Sequence, residues 1–529
     1  MWCAYLLVWC VALVPLCACE RVLVVFPVAR RSHTLLGDHL VNTLYNGGHN
    51  VTYITTYTRV KPSERLTVID IGSDTADAAA ESSSLVPEFL WSRLPPHQFL
   101  YDGFRAAERA LRQPAVQALL LDTATGFDAV VADWYYSSLL APLGEVFSCP
   151  LVWYSGADAS WLSVRLVHEA GGGGGAALSV DPLARALPRL PPSAPDRAHR
   201  LARQAYLSTW IYYMTNYVES PVYYEVYQLA LQRRGLAVPA YELLAHNASL
   251  LLINSHPLLG QALPLPNNAK YVAGHHIHGA AGTLAKGLQT IVDKAKHGVI
   301  YVNLGGSVSE DLPLAMKQQL LRAFRQLEQT VVWRYRGHLD HVPGNVLLAE
   351  RVSHQAMLKH SNTVIMITHG GFLPYLEAMY HGVPIIGIPL EEEQLLTMDI
   401  VTSRGRGVRV SRSGTMGYHI KDAVIEILGN FSYRSNVQEV SAILHQQLVA
   451  PQQELLYWLE LAMSTGGAPH LRSPAVLLTA MERFHLDVLA LAIMLFWFLT
   501  KVAKLVKVYW DDWGATEREQ YDDKIKKNE

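Results

Sequence analysis

The sequence predicts an α/β fold built from two doubly wound halves, and three observations carry that expectation. Short β-rich apolar runs alternate with helical stretches, the rhythm of parallel sheets covered by helices on both faces. The rhythm occurs in two sets, separated by a loop-rich stretch from Pro264 to Gly282 that reads as an interdomain linker. Half of the 529 residues are hydrophobic and 17% are charged, which suits sizeable cores and excludes disorder for the bulk of the chain.

The first set opens with an apolar run from Arg21 to Val28, then a loop, then a helical stretch from about Thr34 to Asn46 closed by Gly47-Gly48. Val51 to Thr56, Ala129 to Ala132 and Leu151 to Trp153 read as further strands. The second set has strands at Gly298 to Val302, Thr330 to Arg334, Val364 to Thr368 and Pro384 to Ile388. Gly171 to Pro195, with five consecutive glycines and a Pro/Ala-rich continuation, reads as a flexible surface segment. The domains expected are 20–270 and 283–470.

Charge and spacing exclude several function classes. With 44 basic against 46 acidic residues, no global positive field exists to drive nucleic-acid binding. No repeat of 20–50 residues is visible, which argues against solenoids and propellers. The chain has no GxxxxGK[ST], HExxH or GxSxG, and no GxGxxG opens a helix after a strand.

The two ends point to a membrane. Residues 1–19 are apolar and uncharged, hold four of the five cysteines, and end in small residues before Glu20, as in a cleaved secretory signal; an uncleaved N-terminal anchor is the alternative. After cleavage only Cys149 remains, too few for a disulfide framework or a cysteine zinc site. Sequons at Asn50, Asn247 and Asn430 are compatible with a lumenal passage. Val488 to Leu499 is too short to span as a helix, but extension to Val508 reaches about 31 Å and adds Lys501, Lys504 and Lys507 on one stripe, whose amines can snorkel to headgroups. The reading is a transmembrane helix at 486–508 with a cytosolic tail at 509–529, against the alternative of an amphipathic helix lying on the bilayer. The terminal Lys526-Lys527-Asn528-Glu529 resembles a dilysine retrieval signal, which places the expected protein in the endoplasmic reticulum membrane as a single-pass type I chain with lumenal domains.

Candidate chemistry gathers where open α/β sheets bind ligands, at the carboxyl ends of strands. His33 follows the first strand and can take a proton from a hydroxyl at neutral pH. Asp133 follows the strand Ala129–Ala132 and could fix the His33 tautomer. An exposed loop histidine and a capping aspartate are the plain alternatives. In the second half, Thr368-His369-Gly370-Gly371 precedes a helix expected from about Pro374, a residue suited to the first helical position. Backbone N–H groups there favour a phosphate, and Glu377 could accept hydrogen bonds from a sugar diol. A tight turn with a solvated glutamate is the alternative.

These stretches together resemble the membrane-bound UDP-glycosyltransferases of animals, the UDP-glucuronosyltransferases and insect UDP-glucosyltransferases. The resemblance rests on Ser32-His33, Gly48 to Thr52, Phe127 to Asp133, Gly298 to Gly305, the forty-four residues from Arg351 to Gln394, Gly466 to Arg472 and His485 to Val488. It implies a GT-B fold, two Rossmann-like domains facing a cleft, with a lipophilic acceptor held by the first and a UDP-sugar by the second. His33 would be the general base and Asp133 its partner, with in-line attack, inversion, and no metal or cofactor. His369, Gly370 and Gly371 would hold the diphosphate, Glu377 the ribose, and Glu393 and Gln394 the sugar, with Gly305, Ser307, Arg351 and His354 also at the donor site. Beyond these substrates and the bilayer, no nucleic acid is expected, and self-association stays open.

The donor signature departs from the family pattern. Arg351 stands where a tryptophan stacks on uracil, a contact worth about 1–3 kcal/mol that a guanidinium recovers only in part. Ser353-His354 replaces Pro-Gln, Phe372-Leu373-Pro374 replaces Thr-Asn-Gly, and Glu393-Gln394 replaces Asp-Gln. Glu391, Glu392 and Glu393 would repel a glucuronate carboxylate, so UDP-glucose is the expected donor. Trp134, Tyr135, Tyr136, Trp153, Tyr154, Trp161, Tyr212 and Tyr213 suit either a flat apolar acceptor, such as a steroid or phenol, or core packing. The second functional reading is a divergent, weakly active or inactive relative that binds lipophiles or partners.

Overall fold

The structure, a computed structural model, describes residues 19–72, 98–167, 194–260, 263, 265–277, 282–305, 312–390, 392–413, 415–472 and 486–526. The expected signal segment and the Gly171–Pro195 stretch therefore lie almost wholly outside the described residues.

Two all-parallel sheets carry the fold. The first contains β1 (Arg21–Phe26), β2 (Asn50–Thr55), β3 (Leu66–Asp70), β4 (Ala129–Asp133), β5 (Leu151–Ser155), β6 (Leu250–Ile253) and β7 (Ala269–Tyr271), in the order β3-β2-β1-β4-β5-β6-β7. The second contains β8 (Val299–Asn303), β9 (Thr330–Arg334), β10 (Val346–Ala349), β11 (Thr363–Thr368), β12 (Ile385–Gly387) and β13 (Gly407–Arg409), in the order β10-β9-β8-β11-β12-β13. Strand order reverses between β1 and β4 and again between β8 and β11, and at such switch points the loops diverge and leave a crevice.

The central strands are continuous apolar runs because both of their faces are covered. On the first sheet, Leu23, Val25, Val130 and Trp153 point to one core, which includes α2 (Gln98–Arg112) and α3 (Ser220–Arg233). Val22, Val24, Val131 and Tyr154 point to the other, against α1 (Arg31–Asn46). On the second sheet, Ile300, Val302 and Ile367 form one core, and Val299, Tyr301 and Met366 the other. Three helices of the second lobe matter for the site: α4 (His354–Lys359), α5 (Phe372–Tyr380) and α6 (Glu392–Ser403).

After the second sheet, α7 (Pro451–Ser464) returns to the first, where Leu455, Leu459 and Ala462 join the cluster of Val22 and Leu40. At that contact His49 Nε2 lies 3.3 Å from Glu460 Oε1. Gln452 Nε2 also donates to the carbonyl of His275 at 2.8 Å. The last described element, α8 (Leu486–Lys526), is one continuous helix. Within its Leu486–Asp511 portion an 18-residue window reaches a mean hydropathy of 2.0, and the portion is long and apolar enough to cross a bilayer.

Three expectations are corrected here. The loop-rich stretch from Pro264 to Gly282 contains an edge strand, β7, whose three residues are too few to show a period. The first helix begins at Arg31, so His33 sits inside its first turn rather than in the preceding loop. The helix after the glycine pair begins at Phe372, so Pro374 is its third residue; proline is tolerated there because that N–H has no intrahelical acceptor.

Candidate active site

At the switch point of the first sheet, β4 ends in Asp133, which is buried, and the neighbouring β1 leads through a short loop into α1. His33 Nδ1 lies 2.7 Å from Asp133 Oδ2. An ionised carboxylate can only accept, so the proton resides on Nδ1 and Nε2 keeps its lone pair. Among the described residues, Asp133 Oδ1 is buried without a hydrogen-bond partner. The Tyr135 ring meets His33 edge-on at 5.3 Å, and the Arg30 guanidinium lies 5.2 Å from the centroid of the same tyrosine. Tyr136 adopts φ +56°, a strained conformation for a residue with a Cβ. Gly103 of α2 lets the helix approach this loop: a Cβ there would lie 1.8 Å from the Tyr135 carbonyl oxygen.

At the switch point of the second sheet, β11 ends at Thr368, and His369, Gly370 and Gly371 lead into α5. Gly370 has φ +81°, so the turn needs glycine there, and a Cβ on Gly371 would fall 2.6 Å from His369 Nε2 and displace that ring. Gly371 is the N-cap residue, and the N–H groups of Phe372 and Leu373 follow it as first-turn donors. The side chain of Leu373 packs into the apolar cluster of the first sheet that contains Leu36.

A cleft joins these two ends. Its lining includes His33, Trp134, Tyr135 and Tyr136 from one lobe and His369, Gly371, Leu373 and Gln394 from the other. Gln394 is buried, and its Oε1 accepts from the Leu390 N–H at 2.7 Å.

Glu377 lies behind this lining, and its carboxylate is engaged on both oxygens. Gln355 Nε2 donates to Oε1 at 2.6 Å, and His276 Nε2 lies 3.7 Å from the same oxygen. His354 Nε2 lies 2.8 Å from Oε2, while its Nδ1 faces Asn303 Nδ2 at 3.1 Å and the Tyr301 hydroxyl at 3.2 Å. Gln355 Oε1 in turn meets His381 Nε2 at 2.7 Å. Burial pushes the Glu377 carboxyl up, but the imidazoles of His354, His276 and His381 outweigh it and hold the group below the usual carboxylate range. Burial pushes the His381 imidazole down to about 4, against the pull of Glu377.

The structure thus brings His33, Asp133, His369, Gly370, Gly371 and Gln394 to one cleft and sets the Glu377–His354 pair behind it. Arg351 is exposed and does not line this cleft. Gly305, at φ +91°, donates its N–H to Asn303 Oδ1 at 3.3 Å, outside the same lining. Glu393 lies in the first turn of α6, its side chain beyond the described residues, as are Glu391 and Ser307. Of the eight aromatics, Trp134, Tyr135 and Tyr136 face the cleft, whereas Trp153 and Tyr154 are fully buried core and Tyr212 and Tyr213 are exposed. Sequence reasoning missed Gln355, His276 and His381. Gln355 sits one residue past His354 in the donor signature, but nothing in its spacing marks it as a Glu377 partner.

The arrangement offers a base to a hydroxyl on one wall and backbone and imidazole donors to an anion on the other. UDP-glucosyltransferase 2 of Dactylopius coccus is 25% identical to this chain over 524 residues, 96% of each. The 2-hydroxyacylsphingosine 1-beta-galactosyltransferase of Rattus norvegicus is 27% identical over 530 residues, 95% of this chain and 91% of that one. Among solved structures, CalG4, the calicheamicin glycosyltransferase, superposes with a TM-score of 0.56 at 19% identity, over 85% of this chain and all of that one, and shows the GT-B fold. Residues 200–517 match the family described as "UDP-glucoronosyl and UDP-glucosyl transferase", and the chain belongs to that family, as a UDP-glycosyltransferase that moves a hexosyl group from a UDP-sugar to an acceptor.

Proposed function

We propose that the chain transfers glucose from UDP-glucose to a hydroxyl of a small lipophilic acceptor, such as a steroid, phenol or xenobiotic, with inversion and without a metal. The observation that carries this reading is the His33–Asp133 pair placed across one cleft from His369 and Gly371. His33 Nε2 would take the hydroxyl proton as the oxygen attacks the anomeric carbon, and Asp133 would stabilise the imidazolium that forms. The diphosphate that leaves would be met by His369 and the first-turn N–H groups of α5. Trp134, Tyr135 and Tyr136 give the acceptor wall an aromatic face.

Glucose is favoured by the carboxylates of Glu391, Glu392 and Glu393, which would repel a second carboxylate on the sugar. The test is turnover of the purified chain with UDP-glucose and UDP-glucuronate: glucose transfer should be faster, and the reverse order overturns the choice. We place the domains in the lumen of the endoplasmic reticulum, with α8 as a type I anchor, on the strength of the apolar segment, the lysines that follow it and the terminal Lys526-Lys527.

One observation favours the second reading, a weakly active lipophile-binding relative: both oxygens of Glu377 are already taken by the chain's own side chains. Calorimetric titration with UDP separates the two, since absence of binding at millimolar nucleotide supports the second.

A further inference from the structure

One helix of the second lobe, Met416–Gly429, carries apolar residues on both of its sides. Met416, Ile420, Ala423, Val424 and Ile427 are buried and join the core of Ile300 and Val302. Tyr418, Ile425 and Leu428 recur at i, i+7 and i+10 on the outer side, where they are 70%, 56% and 43% exposed. Phe431 stands three residues beyond Leu428, opens the next helix, Phe431–His445, and is 75% exposed. Core packing accounts for the inner set and not for the outer one. An exposed apolar stripe of this kind is either covered or a site of aggregation.

The residue between the two helices is Asn430, in the sequon Asn430-Phe431-Ser432, and all three of these residues are exposed. Asn430 caps the second helix, its Oδ1 accepting from the Ser432 N–H at 3.1 Å. That bond uses the oxygen of the amide. Among the described residues Nδ2, the atom that carries a sugar in a modified asparagine, donates to nothing. The other two sequons are woven into the first sheet. Asn247-Ala248-Ser249 leads into β6, with Ala248 and Ser249 buried and the Arg472 guanidinium holding the side-chain oxygen of Asn247. Asn50-Val51-Thr52 lies in β2 between β1 and β3, with Val51 buried. A sugar added at either must be accommodated as the sheet forms; one added at Asn430 meets solvent.

We infer that Asn430 carries an N-linked oligosaccharide and that this sugar covers the stripe of Tyr418, Ile425, Leu428 and Phe431. The inference rests on the lumenal placement proposed above. In the modification, Asn430 Nδ2 bonds to the anomeric carbon of the N-acetylglucosamine that ends a lipid-diphosphate-linked oligosaccharide. The bond from that carbon to the diphosphate oxygen breaks, the lipid diphosphate leaves, and Nδ2 gives up one proton to a base of the modifying transferase. Oδ1 takes no part in the new bond, so the helix cap survives. A glycan is bulky and solubilising, and the Phe431 ring beside it offers an apolar face to a pyranose.

The test uses the full chain in membranes of a eukaryotic cell line. Peptide N-glycosidase in heavy-oxygen water removes the sugar and leaves a labelled aspartate at each modified asparagine. The tryptic peptide Asp422–Arg434 should carry that label at position 430. Ser432→Ala should abolish it, and Ser432→Thr, which keeps the sequon, should retain it. Removal of the sugar should raise hydroxyl-radical oxidation of Tyr418 and Phe431 several-fold, while Tyr224, exposed on α3 of the first lobe, stays unchanged. An unmodified Asn430 beside a modified Asn50 or Asn247 overturns the inference and leaves the lumenal placement standing. No modified asparagine at any of the three overturns both. Oxidation that is the same before and after removal overturns the covering: if low, another protein surface holds the stripe, and if high, the stripe is bare.

Discussion

His33 and Glu377 both sit at carboxyl ends of parallel sheets, and both are bonded to their neighbours, but the bonds leave them in opposite states. Among the described residues His33 is hydrogen-bonded through Nδ1 alone, so its other nitrogen keeps a lone pair for the cleft. Glu377 Oε1 accepts from Gln355 Nε2, and its Oε2 lies 2.8 Å from His354 Nε2 as an ion-pair contact. One side chain keeps a free nitrogen toward the cleft; a diol that used Glu377, as the resemblance implies, would have to displace the charge-assisted hydrogen bond from Gln355, a contact worth about 1.5–3 kcal/mol. The difference teaches that positioning a residue at a site and making it available are separate properties of the surrounding side chains.

Three experiments break or sharpen that contrast. The largest effect is expected from His33→Ala, which should lower kcat by about 10²–10⁴-fold while UDP affinity by calorimetry stays near its wild-type value. Unaltered turnover would mean that His33 is not the reacting group. A smaller effect is expected from His354→Gln, which returns the family's side chain and weakens the hold on Glu377 Oε2. The KM for UDP-glucose should fall about five- to tenfold in steady-state kinetics, and a rise would show that His354 itself grips the donor.

The smallest effect is on stability. With its imidazole held to about 4 by burial, His381 takes up a proton later in the folded chain than in the unfolded one, whose ordinary value is 6.5. Stability is therefore lost as pH falls from about 6.5 toward 4, at up to about 1.4 kcal/mol per pH unit. The lowered carboxyl of Glu377 adds its own loss only below the ordinary 4.5, so measurements above pH 5 separate the histidine from it; His256, also lowered by burial, contributes in the same window. His381→Gln should flatten the decline of Tm between pH 7 and pH 5, and an unchanged slope would place the acid sensitivity elsewhere.

Long central strands and their turns were legible in the sequence, because a strand covered on both faces must be a continuous apolar run: Val22 to Phe26 and Ile365 to Thr368 show it plainly. Edge strands were not. Leu66–Asp70 and Gly407–Arg409 are short, partly exposed and mixed in character, and pairing rather than composition makes them strands. The His33–Asp133 pairing was foreseeable from two strand ends once the strand order put β1 beside β4. The company of Glu377 was not, since His276, Gln355 and His381 are scattered over 106 positions and no spacing marks them as neighbours. The two terms Phe372 and Leu373 were visible as losses of polar groups; that Leu373 instead adds to the other lobe's apolar cluster required the fold.

The return of α7 has a mechanical consequence. The chain passes between lobes twice, and Gln452 at the second passage is hydrogen-bonded to the carbonyls of His275 and Ile277 at the first. Helix α7 is thereby fastened to the first crossing, so the two passages between the lobes are tied to one another. Truncation after residue 445 would leave Leu40 and Val22 without Leu455 and Leu459 over them, so the first lobe borrows part of its apolar cover from the end of the chain.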